Sequence, residues 1–133
     1  MALKISGVYI GGDQVELTHG LSGNKLLTDL PPDNGGRGRT FSPTDLAAAS
    51  VVSCVLTVMA RLAQREGIKF EGASLEIEKH MRESPRRIAS LTGVIRLPAG
   101  ISSLQREKLM ACIKACPVSR SLHPDIKLEF SAE

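Results

Sequence analysis

The sequence predicts an α+β protein with an antiparallel sheet and a long central helix. Two observations carry this prediction: strand-like alternating segments bounded by glycine turns, and an uncharged run at residues 46–60 that has helical start and stop signals. The coarse order is β-β-β-α-β-β-α-β, which lacks the strict alternation of a parallel doubly wound sheet. At 133 residues, the chain is long enough for one core but short for two, so we expect a single domain over residues 1–133.

The N-terminal part contains three strand-like segments followed by a polar loop. Residues 2–10 and 14–19 alternate in part around Gly11 and Gly12, a pair that is typical of a β-hairpin turn. A third segment, KLLTDL, follows the turn HGLSGN. The loop PPDNGGRGRTFSP comes next, and a loop of this length inside a compact domain is usually either functional or disordered.

The long helix has recognisable ends. Ser42 is the expected N-cap, Pro43 suits the first helical position, and Asp45 completes an arrangement like a capping box. Gly67 gives the C-terminal stop signal. One stripe of small or apolar residues recurs with helical spacing: Leu46, Ala49, Ser53, Leu56, Ala60 and Ala63. Apolar residues lie on the other faces too, so we expect this helix to be surrounded on most sides.

The C-terminal half predicts a hairpin, a second helix and a closing strand. SLEIEKHMR and RRIASLTGVIRL are strand-like and are joined by the turn ESPRR. Ser102 or Ser103 can cap the second helix, which Pro117 interrupts. VSRSL is suited to a short further helix, and IKLEF to the last strand.

Composition disfavours several classes of function. The chain is 42% hydrophobic and 23% charged, which is ordinary for a globular protein and argues against disorder. A net charge of +3 and only four aromatic residues disfavour nucleic-acid binding. No signal peptide is visible. The uncharged run is shorter than the roughly 18–20 apolar residues that cross a bilayer. We therefore expect a cytoplasmic protein without a membrane segment.

The three cysteines lie in different local settings. An odd number does not make a structural disulfide framework. Cys116 precedes Pro117, so it becomes an N-cap if a helix begins there, and a helix N-terminus lowers the pKa of a thiol. Cys54 lies in the middle of the long helix, where burial raises the pKa of a thiol. A reactive Cys54 needs a cation, for which Arg37 and Arg39 are candidates; the alternative is that both arginines are merely solvated on a surface loop.

Metal binding is not expected. Cys112 and Cys116 form a C-x-x-x-C pair with His123 nearby in the sequence. Zinc usually takes four ligands, and these spacings match no common zinc site. Burial in the core is the favoured interpretation of Cys112. His19 is expected at a turn and His80 on the exposed side of a strand.

Two motifs point to a known family. SPTDLAAASVVSCVLTVMARLAQREGI resembles the first cysteine motif of the OsmC/Ohr family (osmotically induced protein C and organic hydroperoxide resistance protein), and ACPVSRSL resembles the second. The resemblance covers nearly the whole chain and implies an intertwined homodimer with active sites at the subunit interface. It also implies that Cys54 reduces a small-molecule organic hydroperoxide and that Cys116 then condenses with the Cys54 sulfenic acid to a disulfide. An external dithiol such as a lipoyl group would restore the thiols, with no cofactor.

The first motif departs from the family pattern at one position. In the best-characterised branches a Glu follows the motif's Pro and orients a catalytic Arg from the first strands; here Thr44 holds that place, and no Arg precedes Arg37. Asp45 with Arg37 or Arg39 is the expected substitute, and the alternative is a weaker or changed peroxidase site. SPTDL resembles a divergent branch of the family. Two other functions stay open: binding of a small apolar ligand without catalysis, and redox sensing through a Cys54–Cys116 disulfide.

Overall fold

The computed structural model describes residues 1–133 and contains six strands and three α-helices. It divides into two compact units, Met1–Ala47 and Ala48–Glu133. The α+β class and the long helix are confirmed. The single domain over the whole chain stays a prediction.

The Met1–Ala47 unit holds an antiparallel sheet of three strands in the order β1-β2-β3. The strands are β1 (Ile5–Gly11), β2 (Gln14–His19) and β3 (Lys25–Asp29). Gly11 and Gly12 take positive φ angles of 89° and 62°, which glycine adopts at low cost and which the hairpin turn requires. The predicted hairpin and third strand are therefore confirmed.

This N-terminal unit leaves large apolar side chains in contact with solvent. Those that are at least half exposed include Leu3, Ile5, Val8, Tyr9 and Ile10, and Leu26 and Leu27 of β3 are also exposed. Single exposed apolar residues are normal, but a concentration of this size on one small sheet is typical of a surface that another protein surface covers.

The long helix, α1, runs over Pro43–Glu66 and begins with the predicted capping box. The Ser42 hydroxyl accepts a hydrogen bond from the backbone N–H of Asp45 at 3.1 Å. The Asp45 carboxylate in turn accepts one from the backbone N–H of Ser42 at 2.9 Å. Both N–H groups would otherwise lack partners at this helix end, so the box stabilises the start of α1.

The buried stripe of α1 differs from the expected one. It consists of Ala48, Val51, Val55, Met59 and Ala63, whereas Ser53 is exposed. By length and composition alone, α1 could cross a membrane, a test that core helices of soluble proteins also meet. Four residues of the buried stripe, Ala48, Val51, Val55 and Met59, belong to the core cluster of the protein, together with Leu75, Leu91, Ile95, Leu109 and Ile113.

The Ala48–Glu133 unit holds a second sheet of three strands, in the order β4-β5-β6. The elements are β4 (Ser74–Arg82), β5 (Arg87–Arg96), α2 (Ser103–Ala115), α3 (Pro117–Ser121) and β6 (Lys127–Ala132). The β4–β5 hairpin is antiparallel as predicted, but β6 pairs with β5 in parallel. The sheets are therefore not all antiparallel. The reason is the connection: a parallel neighbour needs a crossover of a dozen or more residues, which α2 and α3 supply.

Candidate functional site

Cys116 lies at the junction of two helices. It is the C-cap of α2 and the N-cap of α3, with an extended backbone (φ −65°, ψ 130°). The residue before a proline is driven out of the helical region, so Pro117 ends one helix at this point and opens the next. The Cys116 sulfur accepts a hydrogen bond from the backbone N–H of Ser119 at 3.5 Å. The predicted N-cap position of Cys116 is confirmed.

The structure brings Cys54, from the middle of α1, into contact with this junction. The Cys54 and Cys116 thiols are hydrogen-bonded to each other. Cys54 is partly buried, whereas Cys116 has no surface accessible to solvent. Of the two sulfurs, Cys54 is therefore the one that a small reagent reaches first. The catalytic roles given to the two thiols stay predictions.

The two thiols have pKa values shifted in opposite directions. Burial raises the pKa of Cys54, and the hydrogen bond with Cys116 raises it further, against a smaller opposing effect of the backbone N–H of Val118. Burial also acts to raise the pKa of Cys116. Hydrogen bonds from Cys54 and from the backbone of Ser119 and Val118 outweigh it, so the pKa of Cys116 lies below its ordinary value.

Ser119 is a residue of this site that sequence reasoning missed. Its hydroxyl oxygen is buried and has no hydrogen-bond partner in the protein. The hydrogen bond that joins Ser119 to the Cys116 sulfur comes from its backbone N–H, at 3.5 Å. The signal was present in the sequence: in C-P-x-S, the serine is the third helical residue after a cysteine N-cap, where a residue faces the capping side chain.

Cys112 is separate from the pair. It is buried on α2, and its thiol donates to the backbone carbonyl of Lys108 at 3.6 Å. Burial raises the pKa of Cys112, with Arg65 opposing the rise. Its placement in the core is confirmed.

His19 and His80 lie at the turn and strand positions predicted for them. The Nδ1 atom of His19 lies 2.6 Å from the Ser22 hydroxyl in the β2–β3 turn, and that of His123 accepts from the backbone N–H of Asp125 at 3.1 Å. His80 is exposed on β4. No three side chains of His, Cys, Asp or Glu gather in a way that could hold a metal ion.

In the Met1–Ala47 unit, Arg39 is held by a buried carboxylate. Its Nε donates to Asp29 at 2.8 Å, its Nη2 at 3.2 Å and its backbone N–H at 2.9 Å, and Nη2 also donates to the Gly12 carbonyl at 2.8 Å. The Asp29 side chain is fully buried, and that of Arg39 is 41% exposed. The hydrogen bonds from Arg39 lower the pKa of Asp29 to about 2. The alternative of a merely solvated arginine is therefore wrong for Arg39.

Asp29 was also missed from the sequence, although its position gave a signal. It is an acidic residue at the end of a strand that leads into an arginine-bearing loop. Of the other two candidates for orienting the thiolate, Arg37 is exposed, and the Asp45 carboxylate takes part in the capping box of α1. The roles of Arg37, Arg39 and Asp45 toward Cys54 stay predictions.

Comparison with known proteins gives the family. The model of the family described as OsmC-like protein matches residues 35–131. A proposed osmotic stress induced and detoxification response protein from Psychrobacter arcticus 273-4 is 32% identical, with a TM-score of 0.93 over 97% of this chain and 94% of that one.

Two more distant structures share the fold. The organic hydroperoxide resistance protein OsmC from Legionella pneumophila is 22% identical, with a TM-score of 0.77 over 100% of this chain and 97% of that one. The organic hydroperoxide resistance protein of Bacillus subtilis is 17% identical, with a TM-score of 0.70 over 100% and 98%. No protein of curated function matches. The chain belongs to the OsmC-like protein family, as its two cysteine motifs predict.

Proposed function

We propose that the protein is a thiol-dependent peroxidase that reduces organic hydroperoxides. The observation that supports this best is the contact between a partly accessible thiol, Cys54, and a buried thiol, Cys116. Two structures of the same fold carry the description organic hydroperoxide resistance protein. We place the protein in the cytoplasm, where thiols are kept reduced.

The chemistry needs two sulfurs and a hydroperoxide. The Cys54 sulfur attacks the outer oxygen of the hydroperoxide, the O–O bond breaks, and the products are a Cys54 sulfenic acid and an alcohol. The Cys116 sulfur then attacks the Cys54 sulfur and displaces the hydroxyl group as water, which leaves a disulfide. An external dithiol such as a lipoyl group reduces this disulfide by thiol exchange. We propose no metal or other cofactor.

The surroundings of Cys54 favour a hydroperoxide with an apolar tail. Val58 lies one turn along the same face of α1, and both it and Val118 are partly buried against the core. Burial of a substrate CH₂ group contributes roughly 0.8 kcal/mol. Hydrogen peroxide has no tail to bury, so we expect the organic substrate to react with the higher kcat/KM.

We also propose that the protein is a homodimer in which a second copy covers the apolar side chains exposed on the N-terminal unit, among them Ile5, Val8 and Tyr9. Arg39 is the favoured cation for the reacting sulfur, because a buried carboxylate already fixes its guanidinium. A cation held in advance loses little conformational entropy when it meets a developing charge.

The test of the peroxidase is consumption of cumene hydroperoxide and of hydrogen peroxide with dihydrolipoamide as reductant. We expect turnover of the organic substrate by the wild type, loss of it in Cys54→Ser, and unchanged turnover in the matched control Cys112→Ser. Turnover no faster than that of Cys54→Ser would refute the proposal. Oxidation of one equivalent without turnover would instead favour a redox sensor, and binding of apolar ligands that survives in Cys54→Ser would favour a binding protein.

The arginine is tested by a matched pair of substitutions. Arg39→Met is expected to lower kcat/KM for the organic hydroperoxide at least about tenfold, since one charge-stabilising contact in a transition state contributes roughly this much or more. Arg37→Met should have a small effect. Equal effects of the two substitutions would contradict the choice of Arg39.

A further inference from the structure

We propose that a basic surface at one end of the β4–β5–β6 sheet docks an acidic protein that carries the reducing dithiol. This surface, here called the basic end, consists of Arg82, Arg86, Arg87, Arg120 and Lys127. The inference rests on the peroxidase proposed above, and it adds to that function the place where the reductant binds and the charge that the reductant carries.

Three of the five cations come from the β4–β5 hairpin. Arg82 at the end of β4 pairs with Arg87 at the start of β5, and Arg86 lies in the turn between them. Like charges directly opposite each other in a sheet destabilise it. Part of this repulsion is offset within the chain, because the Arg87 guanidinium lies 3.9 Å from the Asp125 carboxylate. An acidic partner would offset the rest.

The other two cations come from α3 and from the start of β6. The parallel pairing of β6 with β5 sets Lys127 opposite Ser90, three residues beyond Arg87. The contact between Arg87 and Asp125 joins the segment before β6 to the same hairpin. Arg120 lies in α3, which leads into that segment. The hairpin and the crossover therefore bring cations from two distant stretches of sequence to one end of the sheet.

The basic end holds the excess charge of the protein. Residues 82–87 and 120–127 contain five cations and two carboxylates, an excess of three that equals the formal net charge of +3 for the whole chain. The rest of the chain is therefore balanced in charge. Arg82, Arg120 and Lys127 are exposed and form no ion pair within the chain, so their charges can meet carboxylates of a partner.

The basic end begins one helical turn from the thiol pair. The backbone N–H of Arg120 donates to the carbonyl of Cys116 at 3.0 Å, so α3 carries the cation beside the sulfur that takes part in the disulfide. A protein bound at the basic end therefore lies next to the bond that it has to reduce.

The reduction itself is a thiol exchange in two steps. A thiolate of the partner attacks the Cys54 sulfur, the Cys54–Cys116 bond breaks, and Cys116 leaves as a thiolate that takes up a proton. The second thiol of the partner then attacks the partner's sulfur in the mixed disulfide and releases Cys54 as a thiol. The partner ends with an internal disulfide, so two electrons and two protons pass from its dithiol to the protein.

An acidic protein fits the basic end better than a nucleic acid or a membrane does. Neither stretch contains an aromatic residue on which a base could stack. Their large apolar side chains, Leu122 and Ile126, are half-buried, which leaves none to insert into a bilayer. The carboxylates Glu83 and Asp125 lie among the cations, and such a mixed pattern suits paired charges on a protein surface but repels a polyphosphate.

The experiment compares two reductants of the peroxide-oxidised full chain: free dihydrolipoamide, which is uncharged, and a dihydrolipoyl domain of net negative charge. The variant combines Arg82→Glu with Arg120→Glu. The matched control combines Lys69→Glu with Arg96→Glu, which changes the net charge equally. Arg96 lies at the opposite end of the hairpin, and Lys69 lies in the loop before β4.

In the variant, kcat/KM for the domain should fall at least about tenfold at low salt, because charge steering raises association rates by about 10–10³. The difference between variant and wild type should shrink as the ionic strength rises. The value of kcat/KM for free dihydrolipoamide should not change in the variant, and the control should match the wild type with both reductants.

A variant that is as fast as the wild type with the domain, or a control that loses as much as the variant, would overturn the inference. The peroxidase would still stand if free dihydrolipoamide supports turnover. Absence of turnover with either reductant would overturn the peroxidase. Binding of the domain, followed by NMR titration, then decides on the surface: weaker binding in the variant but not in the control supports it, and no binding overturns it. Preference for a DNA duplex or anionic vesicles over the domain, lost in the variant, would overturn the choice of partner.

Discussion

Oxidation of the protein by one equivalent of an organic hydroperoxide is expected to increase its stability through a Cys54–Cys116 disulfide. The two sulfurs are already in hydrogen-bond contact in the reduced protein. Formation of the disulfide therefore requires only a closer approach of the sulfurs and no rearrangement of distant segments. The bond would close a loop of about 60 residues, for which the loss of chain entropy in the unfolded state corresponds to about 4 kcal/mol.

Part of this gain is offset in the folded state. A disulfide removes the hydrogen bond between the two thiols and weakens the one from the backbone N–H of Ser119 to the Cys116 sulfur. Each of these two hydrogen bonds contributes about 1 kcal/mol. We expect a net gain of about 2 kcal/mol, which for a chain of this size raises Tm by roughly 7 °C.

Urea and thermal unfolding of the oxidised and dithiol-reduced forms, followed by circular dichroism, measure this difference. It should persist in Cys112→Ser and disappear in Cys54→Ser and in Cys116→Ser. Non-reducing peptide mapping identifies the bonded pair. The reasoning fails if oxidation adds oxygen to Cys54 without joining it to Cys116, or if the joined form is no more stable than the reduced one.

Three further predictions concern the scaffold. Ser42→Ala, at the buried N-cap of α1, should cost about 2 kcal/mol of unfolding free energy. Ser102→Ala, at the exposed N-cap of α2, should cost about 1 kcal/mol. A larger loss in Ser102→Ala than in Ser42→Ala, measured by urea unfolding, would contradict this. Asp29 has a pKa of about 2 against an ordinary 3.8, so its stabilising effect is complete above pH 3.8 and is lost as the pH falls through 2. Between pH 3.8 and pH 2, the urea midpoint of Asp29→Asn should therefore fall less than that of the wild type. An equal fall in both proteins would count against the ion pair. Gly93→Ala would place a Cβ 2.7 Å from a backbone oxygen and should cost about 2 kcal/mol of unfolding free energy. A Cβ at Gly7 would meet side-chain atoms at 3.2 Å and 3.4 Å and a backbone oxygen only at 3.9 Å, so Gly7→Ala should cost less. Equal costs in urea unfolding would contradict the close contact at Gly93.

The parts of the fold that the sequence predicted are those with local signals. The Gly11-Gly12 hairpin, the capping box of Ser42 and Asp45, and the N-cap position of Cys116 each depend on residues within a few positions of one another. Backbone sterics and hydrogen bonding over one turn are enough to specify them.

The parts that the sequence did not predict depend on contacts between distant segments. The buried face of α1 could not be chosen because apolar residues lie on several faces, and the expected stripe included Ser53, which is exposed. The parallel pairing of β6 with β5 depends on the edge and direction at which the chain returns to the sheet after α2 and α3. The Asp29–Arg39 pair spans a loop, and the meeting of Cys54 with Cys116 was expected only from the family resemblance.

The two sulfurs of the pair differ in their access to solvent and in the direction of their pKa shifts. The partly accessible sulfur, Cys54, holds its proton because burial and its thiol neighbour oppose ionisation. The sulfur with the lowered pKa, Cys116, is inaccessible to solvent. Since a thiolate and not a thiol is the nucleophile, neither cysteine alone is a good one. The proposed peroxidase therefore requires removal of the Cys54 proton as the substrate is attacked, so the proposed functional unit is the pair and the hydrogen-bond donors around it.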